Sequence, residues 1–185
     1  AKKEKQLVAT MTSSPEIHDE VIFCGEKIDL TRYNMHEVFD RELTSFIYFH
    51  STTMLHFKRA NRYFSVIEPI LKANGVPDDF KYLAVIESNL DVRALSGANA
   101  AGFWQLLPGT AKQYGLTVEK EVDERYHIEK ATEVACKYIK SAYKKYGSWA
   151  AVAASYNGGM GRISGELSKQ NAESTFDLWL VEETS

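Results

Sequence analysis

The sequence predicts a mainly α fold in a single domain. Apolar residues recur at i, i+3 and i+4 through most of the chain, and glycine and proline punctuate those stretches where helices would end. No internal repeat or low-complexity tract competes with that pattern. At 185 residues the chain can bury one real core but not two comfortable ones. Residues 1–20 are polar and aperiodic and are expected to form a flexible arm, leaving 21–185 as the domain.

Taken in order, Val21-Ile22-Phe23-Cys24 is a short apolar run ended by Gly25 and reads as an extended piece docked on the body, and Asp29 to Asn34 reads as a connector. Helices are predicted from Met35 to Ser51, with Val38, Phe39, Leu43, Phe46 and Ile47 toward one buried side, and from Met54 to Asn74, closed by Asn74-Gly75 and Pro77. The next helix starts after Pro77 with Asp78 as its N-cap, and Ser88-Asn89 end it, since both disfavour a helix interior. A small-residue loop, Ser96 to Gly102, leads to Phe103-Trp104-Gln105, read as a short extended segment. Pro108 suits the first turn of a further helix and Gly115 its end. His127 to Tyr146 is strongly amphipathic and stopped by Gly147, with Lys137, Lys140, Lys144 and Lys145 on its solvated side. Trp149 to Tyr156 is nearly all apolar or small, as a buried helix would be. Gly161 to Gln170 reads as a last helix, and Phe176 to Val181 as an extended segment.

Charge excludes one class of partner. Lys+Arg number 22 against 25 Asp+Glu, a net charge of -3, with no basic block beyond Lys2-Lys3-Glu4-Lys5, so a nucleic-acid partner is not expected. Cys24 and Cys136 are far apart and read as two separate thiols. The five histidines form no HExxH or comparable pair, so neither a metal nor another cofactor is expected. No apolar run approaches the roughly 20 residues of a membrane span. The chain begins at Ala1, which reads as a processed or trimmed form with any signal or lipid anchor already removed.

Chemistry points to Glu87. Phe80, Leu83 and Ala84 share one helix face, and Glu87 continues that apolar stripe. Desolvation disfavours the charged form of such a carboxylate and keeps it protonated near neutral pH, as a general acid needs. Phe103, Trp104 and Gln105 then offer aromatic faces and an amide, which suit a sugar. Each feature alone also has a plain packing explanation, and Tyr156-Asn157-Gly158-Gly159 is equally a helix C-cap. The ordered set is more specific.

Glu87-Ser88, Ser96, the run Gly102-Phe103-Trp104-Gln105-Leu106-Leu107-Pro108-Gly109-Thr110-Ala111, and Ser155-Tyr156-Asn157-Gly158-Gly159 together resemble the signature of the soluble-lytic-transglycosylase family, lysozyme-like enzymes that cut the glycan of peptidoglycan. Val122-Asp123-Glu124-Arg125 looks most like the membrane-bound D branch of that family, as does Trp104, where many relatives have Met. Ser155 stands where Ala is usual. The resemblance runs from about Val21 to the end. It implies an α+β lysozyme-like fold, mainly helical, with a small β element near the active-site cleft. It also implies a catalytic domain alone, without the C-terminal glycan-binding repeats such proteins often carry.

The resemblance further implies that Glu87 acts as general acid and then base on the β-1,4 bond between N-acetylmuramic acid and N-acetylglucosamine. The muramoyl 6-hydroxyl closes a 1,6-anhydro ring, with no water consumed and no cofactor. Ser96 would orient Glu87 or the substrate acetamido group. Gln105, Tyr156 and Asn157 would hydrogen-bond across the cleft, and Phe103 would shape its wall or support Gln105 from beneath, with Trp104 mostly core. The partner is then the peptidoglycan glycan strand, met by a monomer in the periplasm or cell envelope, with a membrane reached only through an anchor outside this chain. Two other readings stay open: a goose-type lysozyme-like hydrolase of peptidoglycan or chitin, which needs a second carboxylate or a positioned water, and a non-catalytic peptidoglycan-binding module. Asp91, the nearest second acid, reads as a surface or capping residue.

Overall fold

Helix α5 (Ile128–Tyr146) runs through the middle of the domain because its inward face is built from small and branched residues. Ala131, Val134, Ala135, Ile139 and Ala142 are all buried, and Ala at these positions lets neighbouring helices approach closely. α2 (His50–Ala73) and α6 (Trp149–Gly158) pack against it, α2 through Ile67 and Leu71 and α6 through Val152. α3 (Lys81–Ser88) lies on α2 and contributes Leu83 and Ala84 to the same core, with Phe80 just before it. The computed structural model describes residues 15–31, 35–158 and 164–165, with backbone only for Asn157 and Gly158. Most of the N-terminal arm, the Asn157 side chain and the expected extended segment near the C-terminus lie outside them. Among the described residues no helix is long and apolar enough to cross a membrane.

The mainly helical class holds, and the β structure takes two forms. Strands β1 (Glu20–Phe23) and β2 (Glu26–Asp29) make an antiparallel hairpin with Val21 opposite Ile28. Cys24 and Gly25 both have positive φ, 53° and 81°, as a tight two-residue hairpin turn requires. The expected extended piece is therefore half of a hairpin, whose second strand, Glu-Lys-Ile-Asp, is masked in sequence by its charges. Nearer Glu87 the β element is reduced to isolated bridges, Ala101 pairing with both Leu95 and Leu106. Phe103-Trp104-Gln105 is not extended. It is the turn between bridged residues, with Gln105 at φ 43°.

Helix ends differ where a non-local contact decides them. α1 (Met35–Tyr48) stops before Phe49, and α2 begins at His50, so the break precedes the expected Ser51–Thr53. No residue of α1 is fully buried, contrary to its apolar periodicity, and Phe46 and Phe49 are exposed. Asp78 does not cap α3. It begins a 3-10 turn, Asp78–Phe80, and its carboxylate is taken by Lys81 at 2.5 Å, with Glu68 on the same ammonium at 2.7 Å. Gly147, at φ 69°, ends α5 as expected, and Cys24 and Cys136 are free thiols.

The hairpin ties together the starts of two helices. The Cys24 N–H donates to Asp79 Oδ2 at 2.6 Å, and Phe23 packs on Phe80 just ahead of α3. The Glu26 carboxylate accepts from the N–H groups of Trp149 (2.7 Å) and Ala150 (3.1 Å) and from the Ser148 hydroxyl (2.8 Å), capping α6 from across the chain. Burial alone would raise the Glu26 pKa, but these donors hold it below its ordinary value of 4.5. A depressed carboxylate stabilises the fold above its unfolded pKa and loses that contribution as pH falls through the folded one. Glu26→Gln is thus expected to lower stability at neutral pH by about 1 kcal/mol. In thermal melts the gap from wild type should close as pH drops below 4.5.

Candidate active site

Glu87 stands in the last turn of α3, where the apolar stripe of Leu83 and Ala84 meets solvent. The helix ends one residue later, and Asn89 turns the chain in a left-handed conformation, φ 53° and ψ 29°. Ser88 is buried with its hydroxyl donating to Ala84 O at 2.9 Å. Glu87 is half-buried, and burial pushes its carboxyl pKa up. Among the described residues nothing hydrogen-bonds its carboxylate and no cation pairs with it. Such a group holds its proton more tightly than an exposed carboxyl does.

Tyr156 reaches the same place from α6. Its hydroxyl donates to the Trp104 carbonyl at 2.8 Å. Burial first, and then the charge of Glu87, push its pKa well above the usual tyrosine range, so it stays a neutral phenol within electrostatic reach of Glu87. Trp104 is fixed from behind: it is fully buried, and its Nε1–H donates to Thr132 Oγ1 of α5 at 2.9 Å. A hydrogen-bonded line thus runs from α5 through Trp104 to Tyr156.

The loop from Leu95 to Leu106 is self-supporting. Ser96 Oγ accepts from Ala100 N–H at 3.0 Å, and the Ser96 N–H donates to Ala100 O at 2.9 Å. Ser96 is exposed and holds its own loop; among the described residues no hydrogen bond joins it to Glu87. Gln105 Nε2 donates to Gly102 O at 2.9 Å and to Ala94 O at 3.3 Å, spending the amide's donors on the loop. Phe103 does not form a wall. It is 2 % exposed and meets the Tyr63 ring edge-on at 4.7 Å, so it sits behind the loop as core. Asn157 is on α6 beside Tyr156, but its side chain lies outside the described residues.

Two residues that frame this loop carried no role in the sequence reading. Arg125 is 4 % exposed. It pairs with Asp123 through Nε (2.9 Å to Oδ1) and Nη2 (2.7 Å to Oδ2), and Nη1 donates to the carbonyls of Asn99 (2.6 Å) and Leu106 (3.0 Å). These bonds, above all the one from the Arg125 side chain, hold the Asp123 carboxyl below its usual range. The planar guanidinium satisfies a carbonyl in the middle of the site loop and one at its end at once. Gly102 is pressed against it: a Cβ there would lie 2.1 Å from the Arg125 carbonyl oxygen. The available signal was the Val122-Asp123-Glu124-Arg125 stretch, which carried part of the family resemblance but says nothing of burial.

Asp91 is the nearest second acid in sequence, and its carboxylate is engaged. Oδ1 accepts from Arg93 N–H at 2.9 Å, and Oδ2 lies 3.4 Å from Arg59 Nη2 with the side chain 47% exposed. It is a partly exposed residue that holds its own turn, in line with the surface or capping residue expected. Among the described residues no group of His, Cys, Asp and Glu is arranged to hold a metal ion.

Comparison with known proteins places the chain among relatives. The chain is 34% identical over 135 residues to the membrane-bound lytic murein transglycosylase D of two Escherichia coli strains, an alignment taking in 71% of this chain and 29% of each relative. It is 28% identical over 118 residues, 63% of this chain and 57% of the relative, to a protein of Alteromonas sp. (strain M-1) named for tributyltin chloride resistance. The chain spans less than a third of the length of the Escherichia coli relatives it matches. The family model for the Transglycosylase SLT domain matches residues 64–178, a stretch that holds Glu87, the site loop, Arg125 and Tyr156. By that match over more than half its length, the chain belongs to the Transglycosylase SLT domain family.

Proposed function

We propose that this chain is the catalytic domain of a peptidoglycan lytic transglycosylase, with Glu87 as its only acid–base residue. The observation that carries the reading is a half-buried carboxyl with a raised pKa, with no cation paired to it among the described residues, within electrostatic reach of Tyr156. The names of the Escherichia coli relatives point to the same substrate.

Protonated Glu87 gives its proton to the oxygen bridging N-acetylmuramic acid and N-acetylglucosamine, and the bond from that oxygen to the muramoyl anomeric carbon breaks. The substrate's own N-acetyl carbonyl stabilises the developing positive charge. The muramoyl 6-hydroxyl then attacks the same carbon, and its proton passes to the Glu87 carboxylate. The products are a free N-acetylglucosamine end and a 1,6-anhydromuramoyl end, and the enzyme is restored with no water consumed. Tyr156, a neutral phenol, and the Gln105 oxygen supply hydrogen bonds along the glycan, with Ser96 at the rim and Asn157 following Tyr156. The substrate class puts the working protein in the cell envelope, on the periplasmic side where peptidoglycan lies.

A hydrolase on the same scaffold needs a second carboxylate to activate water, with carboxyls on the order of 5–9.5 Å apart in the usual two-acid enzymes. Asp91 is instead committed to Arg93 N–H. Asp91→Asn keeps that acceptor and is expected to leave the rate of glycan release from purified peptidoglycan within about twofold of wild type. A loss on the order of 100-fold, typical of removing a general base, would move the protein to the hydrolases.

A further inference from the structure

Because nothing among the described residues hydrogen-bonds the Glu87 carboxylate, its position depends on the backbone that carries it. That backbone is unusual immediately downstream. Asn89 and Leu90 both have φ 53°, two successive non-glycine residues in the left-handed region. The capping bonds within the chain turn are uneven, 2.8 Å from Asn89 N–H to Val85 O and 3.4 Å from Leu90 N–H to Ala84 O.

Side chains from α2 hold the turn. Arg59 Nη1 donates to the Asn89 carbonyl at 2.8 Å, and His56 Nε2 lies 2.8 Å from Asn89 Oδ1, the geometry of a donated hydrogen bond. His56 and Arg59 are three residues apart and so share one face of α2. The His56 ring is itself stacked on Phe46 of α1, with centroids 6.0 Å apart. Both the side chain and the carbonyl of the residue two positions after Glu87 are therefore gripped from one helix. The Arg59–Asp91 contact at 3.4 Å is longer and half-exposed, and is the weaker arm.

We propose that Arg59 and His56 are positioning residues for Glu87, acting through Asn89. The proposal rests on Glu87 being the acid. A general acid must come within hydrogen-bond reach of the oxygen it protonates, and a misplacement of about 1 Å can cost on the order of 100-fold in rate. A carboxyl with no hydrogen-bond partner among the described residues has none there to correct such a shift.

The test compares kcat and KM on solubilised glycan strands for wild type, Glu87→Gln, Arg59→Ala and Arg59→Lys, each well below its own unfolding midpoint. Arg59→Ala is expected to lose on the order of 10-fold or more in kcat, with KM within about twofold of wild type. Arg59→Lys should recover part of that loss, because an ammonium can still donate to the Asn89 carbonyl but cannot fork. An Arg59→Ala protein with a lowered melting temperature and unchanged kcat would reduce Arg59 to a structural role. A raised KM at unchanged kcat would make it a substrate contact, and either result overturns the proposal. Should Arg59→Ala fail to fold, His56→Phe and His56→Gln give the same comparison: loss of kcat in the first, recovery through the amide donor in the second, and equal rates in both as the overturning result. Failure of the premise looks different, since it appears as cleavage by Glu87→Gln.

Discussion

Glu87→Gln folds, binds glycan strands and does not cut them. The amide has nearly the same shape and no proton to give at the bridging oxygen, so the expected loss of turnover is on the order of 100- to 10,000-fold. Stability should move the other way. The Glu87 carboxyl is raised by burial above its ordinary 4.5, so the folded wild type holds its proton more tightly than the unfolded chain does. Its relative stability is then full below 4.5 and declines as pH rises through the folded value. Glu87→Gln has no such decline. Its melting temperature should match wild type in acid and exceed it at neutral pH, a pattern readable in paired melts across that range. An active variant would remove Glu87 from the mechanism.

Gly102→Ala is expected to damage the fold more than any other single methyl in the site loop. The added Cβ meets the Arg125 carbonyl oxygen at 2.1 Å, a backbone atom that cannot swing aside. The residue also sits at φ 75°, which disfavours an L side chain by about 1–2 kcal/mol. Overpacking adds roughly 1–3 kcal/mol more, a total near 3 kcal/mol. For a domain of this size that lowers the melting temperature by roughly 6–12 °C. Moving the Arg125 backbone would disturb the side-chain bonds to Asn99 and Leu106, so activity should fall with stability. Gly109→Ala is the control: it lies in α4 (Pro108–Gln113), nothing stands within 4 Å of its Cβ position, and its melting temperature should hold or rise.

The contrast between these residues shows what could be read from the chain. Glu87 was legible because helical periodicity is local: Leu83 and Ala84 define a face, and the next residue on it is an acid. The same holds for α5, whose stripe and terminal Gly147 are complete within one segment. Trp104 is core as expected, and of the two readings of Phe103 burial removes the wall and leaves support from beneath; the turn that holds both residues has Gln105 at φ 43°, which no spacing rule foresees. The hairpin was half seen, since β2 has three charged residues and a single apolar one, and Glu26 finds its partners more than a hundred residues later in the chain. Arg125 stood in a stretch that carried part of the resemblance, but with no structural role attached to it. Its burial becomes evident only once Asn99, Gly102 and Leu106 surround it. α1 was overread: its apolar face has helical spacing, yet no described element covers it completely.

The most direct test is digestion of purified peptidoglycan in water labelled with heavy oxygen, followed by mass spectrometry of the released muropeptides. The account predicts 1,6-anhydromuramoyl ends, lighter by one water than reducing ends, with no heavy oxygen incorporated and no such products from Glu87→Gln. Reducing ends carrying the heavy label would show that water is the nucleophile and would contradict an intramolecular ring closure driven by Glu87 alone.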